Sequence, residues 1–339
     1  MVENMKILVI GGTGGQGRYL VPELLEKGYT IDVISLDDKK SDNPNLTFTQ
    51  ADAFNIDFLK EILKNNYDAI VDFLDYATEK FKARYELFLK NTKHYIFLSS
   101  YRVYADDVTI TENSPRLLDV SEDKEFLATD DYPLHKARCE DILRNSGYKN
   151  WSIVRPVMLY SEFMYKLVTL DSPLFIPRTL RGEKIVLPRE AMPIYAAFCW
   201  AGDVAKMYSG IILNPKAYGE AFTFGSGEAT TWEDVAKYYS EFIGVKYELV
   251  DKETYLKVMF NSSKPARWQL EYDRFLKRKI DNSKILEVAG LKQSDLMPLK
   301  EGLKKVLAVV DEKTTWGPEW KPYVETVDKG LKEYFKGKE

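Results

Sequence analysis

The chain has 339 residues, 45% hydrophobic and 13% aromatic, enough to bury a large core in one big domain with a smaller one beside it. A formal net charge of -4 gives no overall attraction for nucleic acid or an anionic membrane, and two cysteines, Cys139 and Cys199, exclude a disulfide framework. With only His94 and His135 and no cysteine cluster, no metal site is expected.

No apolar run approaches the ~20 residues of a membrane helix, and the chain enters its first strand at once, leaving no room for a signal peptide. A cytoplasmic protein is expected. Neither internal repeats nor low-complexity segments occur.

The first half alternates strand and helix patterns. Ile7 to Ile10 is a fully apolar strand. Arg18 to Lys27 has helical spacing at Leu20, Leu24 and Leu25, and Gly28 stops it. Strands are expected at Ile31 to Leu36, Leu46 to Thr49, Ala69 to Leu74 and Tyr95 to Leu98, with helices at Ile56 to Lys64 and Phe81 to Leu89 between them. Tyr132 to Asn145 reads as a helix and Trp151 to Val154 as a sixth strand. Buried strands alternating with helices predict an α/β fold, a doubly wound parallel sheet of the Rossmann type.

After Pro156 the pattern loosens, and residues 162–195 show no clean period. Ala205 to Leu213 reads as a helix and Ala221 to Phe224 as a strand. Trp232 to Ile243 reads as a helix capped by Thr231 with Asp234, and Tyr247 to Val250 as a strand. The expected organisation is a dinucleotide-binding domain over 1–160 with parts of 195–225, a smaller mixed α/β substrate lobe over 161–194 and 226–310, and a helical tail over 311–339.

Two motifs carry the chemistry. The first strand runs into Gly11-Gly12-Thr13-Gly14-Gly15-Gln16-Gly17, a glycine turn opening a helix. Gly11 suits the tight turn, Gly14 the approach of phosphate, and Gly17 the packing of helix on strand; the helix N-terminus offers N–H groups to a pyrophosphate. Far downstream, Tyr132 and Lys136 stand four apart on one helix face, with Ser99-Ser100 at the end of an apolar run upstream. A phenol titrates near ~10, so it acts as a base at neutral pH only beside positive charge. Lys136 would provide that charge.

The stretch LVIGGTGGQG resembles the extended short-chain dehydrogenase/reductase superfamily, and within it the NAD-dependent epimerase/dehydratase family acting on nucleotide sugars. The resemblance continues through Asp52 in QADAF and FLSSYRVYAD at Phe97 to Asp106, where the family has "SSxxVYG" and this chain has Ala105. It includes Tyr132 and Lys136, then RPVMLYS from Arg155, with Ser161 in place of a glycine. Trp200 to Asp203 with Val204-Ala205, Phe224-Gly225-Ser226-Gly227, Ile280-Asp281-Asn282-Ser283-Lys284 and Glu301-Gly302-Leu303 extend it over roughly residues 5 to 305.

The resemblance implies an enzyme with Ser100, Tyr132 and Lys136 as catalytic residues. It implies NAD contacts from Gly11, Thr13, Gly14, Gly15, Gln16 and Gly17, from Ser35, Asp37, Asp52 and Ala53, and from Phe73, Leu74, Ser99, Tyr132, Lys136 and Pro156. Asp37 and Asp38 favour NAD, whereas Ser35 does not choose and Lys39-Lys40 would tolerate the phosphate of NADP. Tyr101, Arg178, Arg181 and Arg267 are expected to contact substrate, with Arg189 a further candidate, because guanidinium groups bind phosphate through paired bonds.

Ser100 is followed by Tyr101-Arg102, where the family's 4,6-dehydratases carry two acids, so elimination of water is disfavoured. The expected function is an NAD-dependent nucleotide-sugar epimerase, an isomerase working by transient oxidation. A reductase or dehydrogenase of a keto sugar is the alternative within enzymes. An RNA-binding or cofactor-sensing relative of the same superfamily is the alternative outside them, opposed by the acidic composition. A homodimer is expected through helices 78–92 and 132–146, which carry Phe81, Tyr85, Phe88, Ile142 and Leu143.

Overall fold

In a computed structural model that describes residues 5–162, 164–311, 314 and 316–338, the apolar runs of the first half become parallel strands. These are β1 (Lys6–Ile10), β2 (Thr30–Ser35), β3 (Leu46–Gln50), β4 (Tyr67–Asp72) and β5 (Thr92–Leu98). Strands Trp151–Pro156 and Glu220–Phe224 complete a seven-stranded sheet in the order Glu220–Phe224, Trp151–Pro156, β5, β4, β1, β2, β3. Every pairing is parallel. The strand order reverses between β1 and β4, which opens a crevice at the carboxyl ends of these strands. This is the expected doubly wound α/β architecture.

Helices α1 (Gly17–Glu26) and α2 (Ile56–Ile62) form as the periodicity predicts. The helix expected over Phe81 to Leu89 is instead two, α3 (Thr78–Lys82) and α4 (Tyr85–Lys90), broken at Arg84 with φ -137°. Arg84 turns inward there, stacking its guanidinium on the rings of Phe54 and Tyr76 at 5.4 and 5.0 Å. Of the apolar residues expected at a dimer face, Phe81, Phe88 and Leu143 are buried in the core, while Tyr85 and Ile142 remain partly exposed.

The stretch 162–195 shows no period in sequence, yet its residues 164–195 carry regular elements. They contain an antiparallel pair, Lys166–Leu167 with Leu170–Asp171, the helix Ser172–Leu180 and the strand Lys184–Pro188. That helix buries residues on nearly every face, so it carries no amphipathic stripe to read. Strand Lys184–Pro188 pairs in parallel with Lys246–Val250. The capping box of Thr231 and Asp234 is present at the helix Trp232–Ile243.

In the C-terminal stretch, residues 312, 313, 315 and 339 lie outside the described residues. The helix Lys321–Lys336 packs along Lys252–Phe260, and Gly330 permits the closest approach, since a Cβ there would meet the Val258 carbonyl oxygen at 1.9 Å. Among the described residues no helix is long and apolar enough to cross a membrane.

Asp72 ends β4 inside the core. Its carboxylate accepts from Tyr76 Oη at 2.9 Å, Tyr95 Oη at 2.8 Å and the Leu74 amide at 3.1 Å. Burial pushes its pKa up to about 6 from an ordinary 3.8, although these donors and Lys136 pull the other way. Between those two values the folded chain keeps a proton that the unfolded chain has lost, so stability falls as pH rises through this window. Asp72→Asn is expected to remove that slope, a difference on the order of 3 kcal/mol across the window. Urea unfolding of parent and variant at the two ends of this pH range checks it; parallel changes in the two proteins would count against it.

Candidate active site

The glycine turn is built for close approach. Gly11 adopts φ +75°, which its side-chain-free backbone tolerates, and its amide bonds to the Ile34 carbonyl at 2.8 Å. A Cβ on Gly17 would lie 2.3 Å from the Gly12 carbonyl oxygen, so only glycine lets α1 start so near β1. Among the described residues the backbone N–H groups of Thr13, Gly15, Gln16 and Gly17 donate to no protein acceptor. Unsatisfied donors at the start of a ten-residue helix fit a pyrophosphate.

Thr13 Oγ1 meets Ser35 Oγ at 2.5 Å, and Ser35 Oγ accepts the Asp37 amide at 3.0 Å, which ties the turn to the end of β2. Asp52 caps its own turn by accepting the Phe54 amide at 2.8 Å, with Ala53 buried beside it. The Phe73 amide bonds to the Ile10 carbonyl at 3.1 Å, setting Phe73 and Leu74 beside Gly11, where an added Cβ would meet them at 3.4 and 3.9 Å.

The helix Tyr132–Arg144 carries the second half of the site. Glu140 locks it to the sheet: fully buried, its carboxylate takes Arg155 Nε at 2.8 Å, Arg155 Nη2 at 2.6 Å and Ser99 Oγ at 2.6 Å. Burial pushes the Glu140 carboxyl up, and Arg155 with these donors overcomes it, holding it below its ordinary value. One turn earlier, Lys136 is almost sealed from solvent, and its Nζ donates to the Leu98 carbonyl at 2.9 Å and pairs with Asp75 Oδ1 at 2.9 Å. His135 Nε2 shares that oxygen at 2.8 Å.

Lys136 Nζ lies 5.6 Å from the centre of the Tyr132 ring, and the Arg102 guanidinium lies 5.1 Å from it. Two positive charges thus flank the phenol. Ser100 lies two residues past the end of β5, and its Oγ accepts the Arg102 amide at 3.2 Å, which leaves its own proton to donate elsewhere.

These groups open on one cleft of about 390 Å³, lined by Gly15 and Gln16 from the turn, Ser100, Tyr101, Arg102 and Tyr132, Pro156 to Leu159, Met164, Lys166, Gln269 and Arg274. Behind the lining stands an arginine cluster. Asp273 is fully buried and receives Tyr101 Oη at 2.9 Å, together with the guanidinium groups of Arg274 and Arg278. Arg102 Nε lies 3.1 Å from the same carboxylate without the alignment of a hydrogen bond. A second chamber of about 740 Å³ adjoins the cleft through Arg102 and Gln269, walled by Leu174, Phe260, Trp320 and Tyr323.

Of the expected cofactor and catalytic residues, Gly15, Gln16, Ser100, Tyr132 and Pro156 line one cleft, with Lys136 beside the Tyr132 ring. Three of the expected substrate arginines do not line it. Arg178 is buried in pairs with Asp328 at 2.6 Å and Glu183 at 3.2 Å; Arg181 pairs with Glu183; Arg267 pairs with Glu253 and Glu271. Each found a nearby carboxylate, which residue type alone does not reveal. Arg189 donates to the Leu249 carbonyl at 3.1 Å. The arginines at the cleft are Arg102 and Arg274; Arg274 was not legible in the sequence because Tyr101 and Val168, which its guanidinium also bonds, are distant in the chain. Asp75, Glu140 and Asp273 were missed for the same reason.

Residues 7–225 match the NAD dependent epimerase/dehydratase family. The chain belongs to this family. Several solved structures share its fold. The dTDP-glucose 4,6-dehydratase of Bacillus anthracis in complex with NAD is 20% identical over 94% of this chain and 99% of that one, with a TM-score of 0.68. The Bordetella bronchiseptica enzyme WbmH in complex with NAD+ is 16% identical over 92% and 100%, with a TM-score of 0.67. The UDP-glucose 4-epimerase of Thermotoga maritima with UDP-glucose is 19% identical over 90% and 98%, with a TM-score of 0.62. No curated protein matches the chain in sequence.

Proposed function

We propose that this family member is an NAD-dependent epimerase of a nucleotide sugar. The observation that carries the reading is the cleft itself. Ser100 and Tyr132 line it beside the glycine turn, with Lys136 behind the phenol, and among the described residues no carboxylate lines it. A dehydratase needs a positioned acid to expel water, and Tyr101 and Arg102 occupy the places next to Ser100.

The unsatisfied amides of Thr13, Gly15, Gln16 and Gly17 would hold the pyrophosphate, and Ser35 and Asp37 the adenosine ribose. NAD bound here supplies reversible hydride acceptance. Tyr132 takes the proton of the sugar hydroxyl and later returns it; Ser100 donates to that oxygen as its charge changes; Lys136 holds positive charge beside the phenol throughout. The keto sugar turns over within the cleft before the proton is given back.

An epimerase regains its cofactor in every cycle and gains nothing by releasing it. Acid or heat denaturation of the purified protein is expected to release NAD close to one per chain, identified by chromatography. Release of NADP, or retention of no nucleotide with activity that depends on added NADPH, would favour a reductase.

A further inference from the structure

The charge around the cleft is unbalanced in a chain that is acidic overall. Arg102, Lys166 and Arg274 line it, and among the described residues no carboxylate does. Lys166 is neutralised by Asp171 on the paired strand. The remaining guanidiniums, Arg102, Arg274 and Arg278, form ion pairs through one carboxylate, Asp273, with weaker attraction from Asp131 to Arg102 and from Asp171 to Arg274. Asp131 lines the second chamber together with Arg102; burial pushes its carboxyl up and the Arg102 charge pulls it part of the way back.

Donor capacity is also in surplus. Arg278 is spent on Asp273 and on the carbonyls of Tyr101 and Tyr104. Arg274 spends Nε on the Val168 carbonyl at 2.7 Å and Nη1 on Asp273 and Tyr101. Among the described residues the two Nη atoms of Arg102 make no hydrogen bond, and its Nε, 3.1 Å from Asp273, is buried without one. A guanidinium fork with open donors seeks a planar oxyanion.

Position narrows the anion. Arg102 is stacked on the Tyr132 ring at 5.1 Å, so whatever it binds sits next to the oxygen from which Tyr132 removes a proton. We propose that Arg102, backed by Arg274, receives a carboxylate carried on the sugar ring beside the reacting carbon, so that the substrate is a nucleotide-linked uronic acid rather than a neutral hexose. This rests on the epimerase reading and specifies its substrate.

The test is calorimetric binding of UDP-glucuronate, UDP-glucose and UDP to the protein loaded with NAD, for the parent, Arg102→Leu and Arg102→Lys. UDP-glucuronate is expected to bind at least ~10-fold more tightly than UDP-glucose, the effect of one charge-assisted hydrogen-bonded pair. Arg102→Leu should bring that ratio to within about twofold, and Arg102→Lys should restore part of it, which a merely structural role would not do. Equal binding of the two sugars, failure of both to bind, or binding of UDP as tight as that of UDP-glucuronate would overturn the proposal; the last would mean that the guanidinium groups meet only the diphosphate. A uronate preference without epimerisation leaves the subsite standing and removes the epimerase. Epimerisation of UDP-glucose with no uronate preference does the reverse.

Discussion

Tyr132→Phe is expected to lower turnover by at least ~10²-fold, the usual cost of losing a general acid/base. The substitution removes one oxygen from the cleft wall. Among the described residues that oxygen has no protein partner, and the ring keeps its packing against Arg102, Lys136 and His135. The fold, the melting temperature and the released nucleotide should therefore match those of the parent. Steady-state rates set beside thermal unfolding and nucleotide content check it. Near-normal turnover with an unchanged fold would remove Tyr132 from the chemistry.

The second large effect falls on stability. Asp273 holds Arg102, Arg274 and Arg278 together at the cleft wall with its side chain fully buried. Burial pushes its carboxyl up, and the guanidiniums of Arg274, Arg278 and Arg102 with the Tyr101 hydroxyl overcome this, holding it down at about 2. The depressed value means its contribution is complete above the ordinary carboxylate range and is lost as pH falls toward 2. Asp273→Asn leaves buried guanidinium groups without their counter-charge, a defect that costs about 3–5 kcal/mol in comparable sites. Chemical denaturation at neutral pH checks it, and a loss below about 1 kcal/mol would show that water reaches the cluster.

The parts of this site that the sequence displays are those set by neighbours along the chain. An apolar run followed by Gly11, Gly14 and Gly17 is a strand, a turn and a helix start within a dozen residues. The four-residue spacing of Tyr132 and Lys136 is a helix face. What the sequence hides is pairing across the fold. Tyr101 meets Asp273 across 172 positions, and His135 meets Asp75 across 60. No local pattern distinguishes these acids from surface ones. The expected substrate arginines show the converse: Arg178, Arg181 and Arg267 have the right chemistry for phosphate, yet Asp328, Glu183, Glu253 and Glu271 lie within reach and take them. The helix Ser172–Leu180 went unread because burial on nearly all sides erases the period by which helices are recognised.

In the proposed function, Tyr132 and Ser100 serve a reaction that is redox-neutral overall. The most direct measurement follows the absorbance of reduced nicotinamide while a UDP- or dTDP-linked sugar, hexose or hexuronate, is turned over by purified protein, with the sugar products separated in parallel. Interconversion of two stereoisomers with no net change in absorbance is the predicted result; steady, stoichiometric consumption of NADH or NADPH would contradict it and make the protein a reductase.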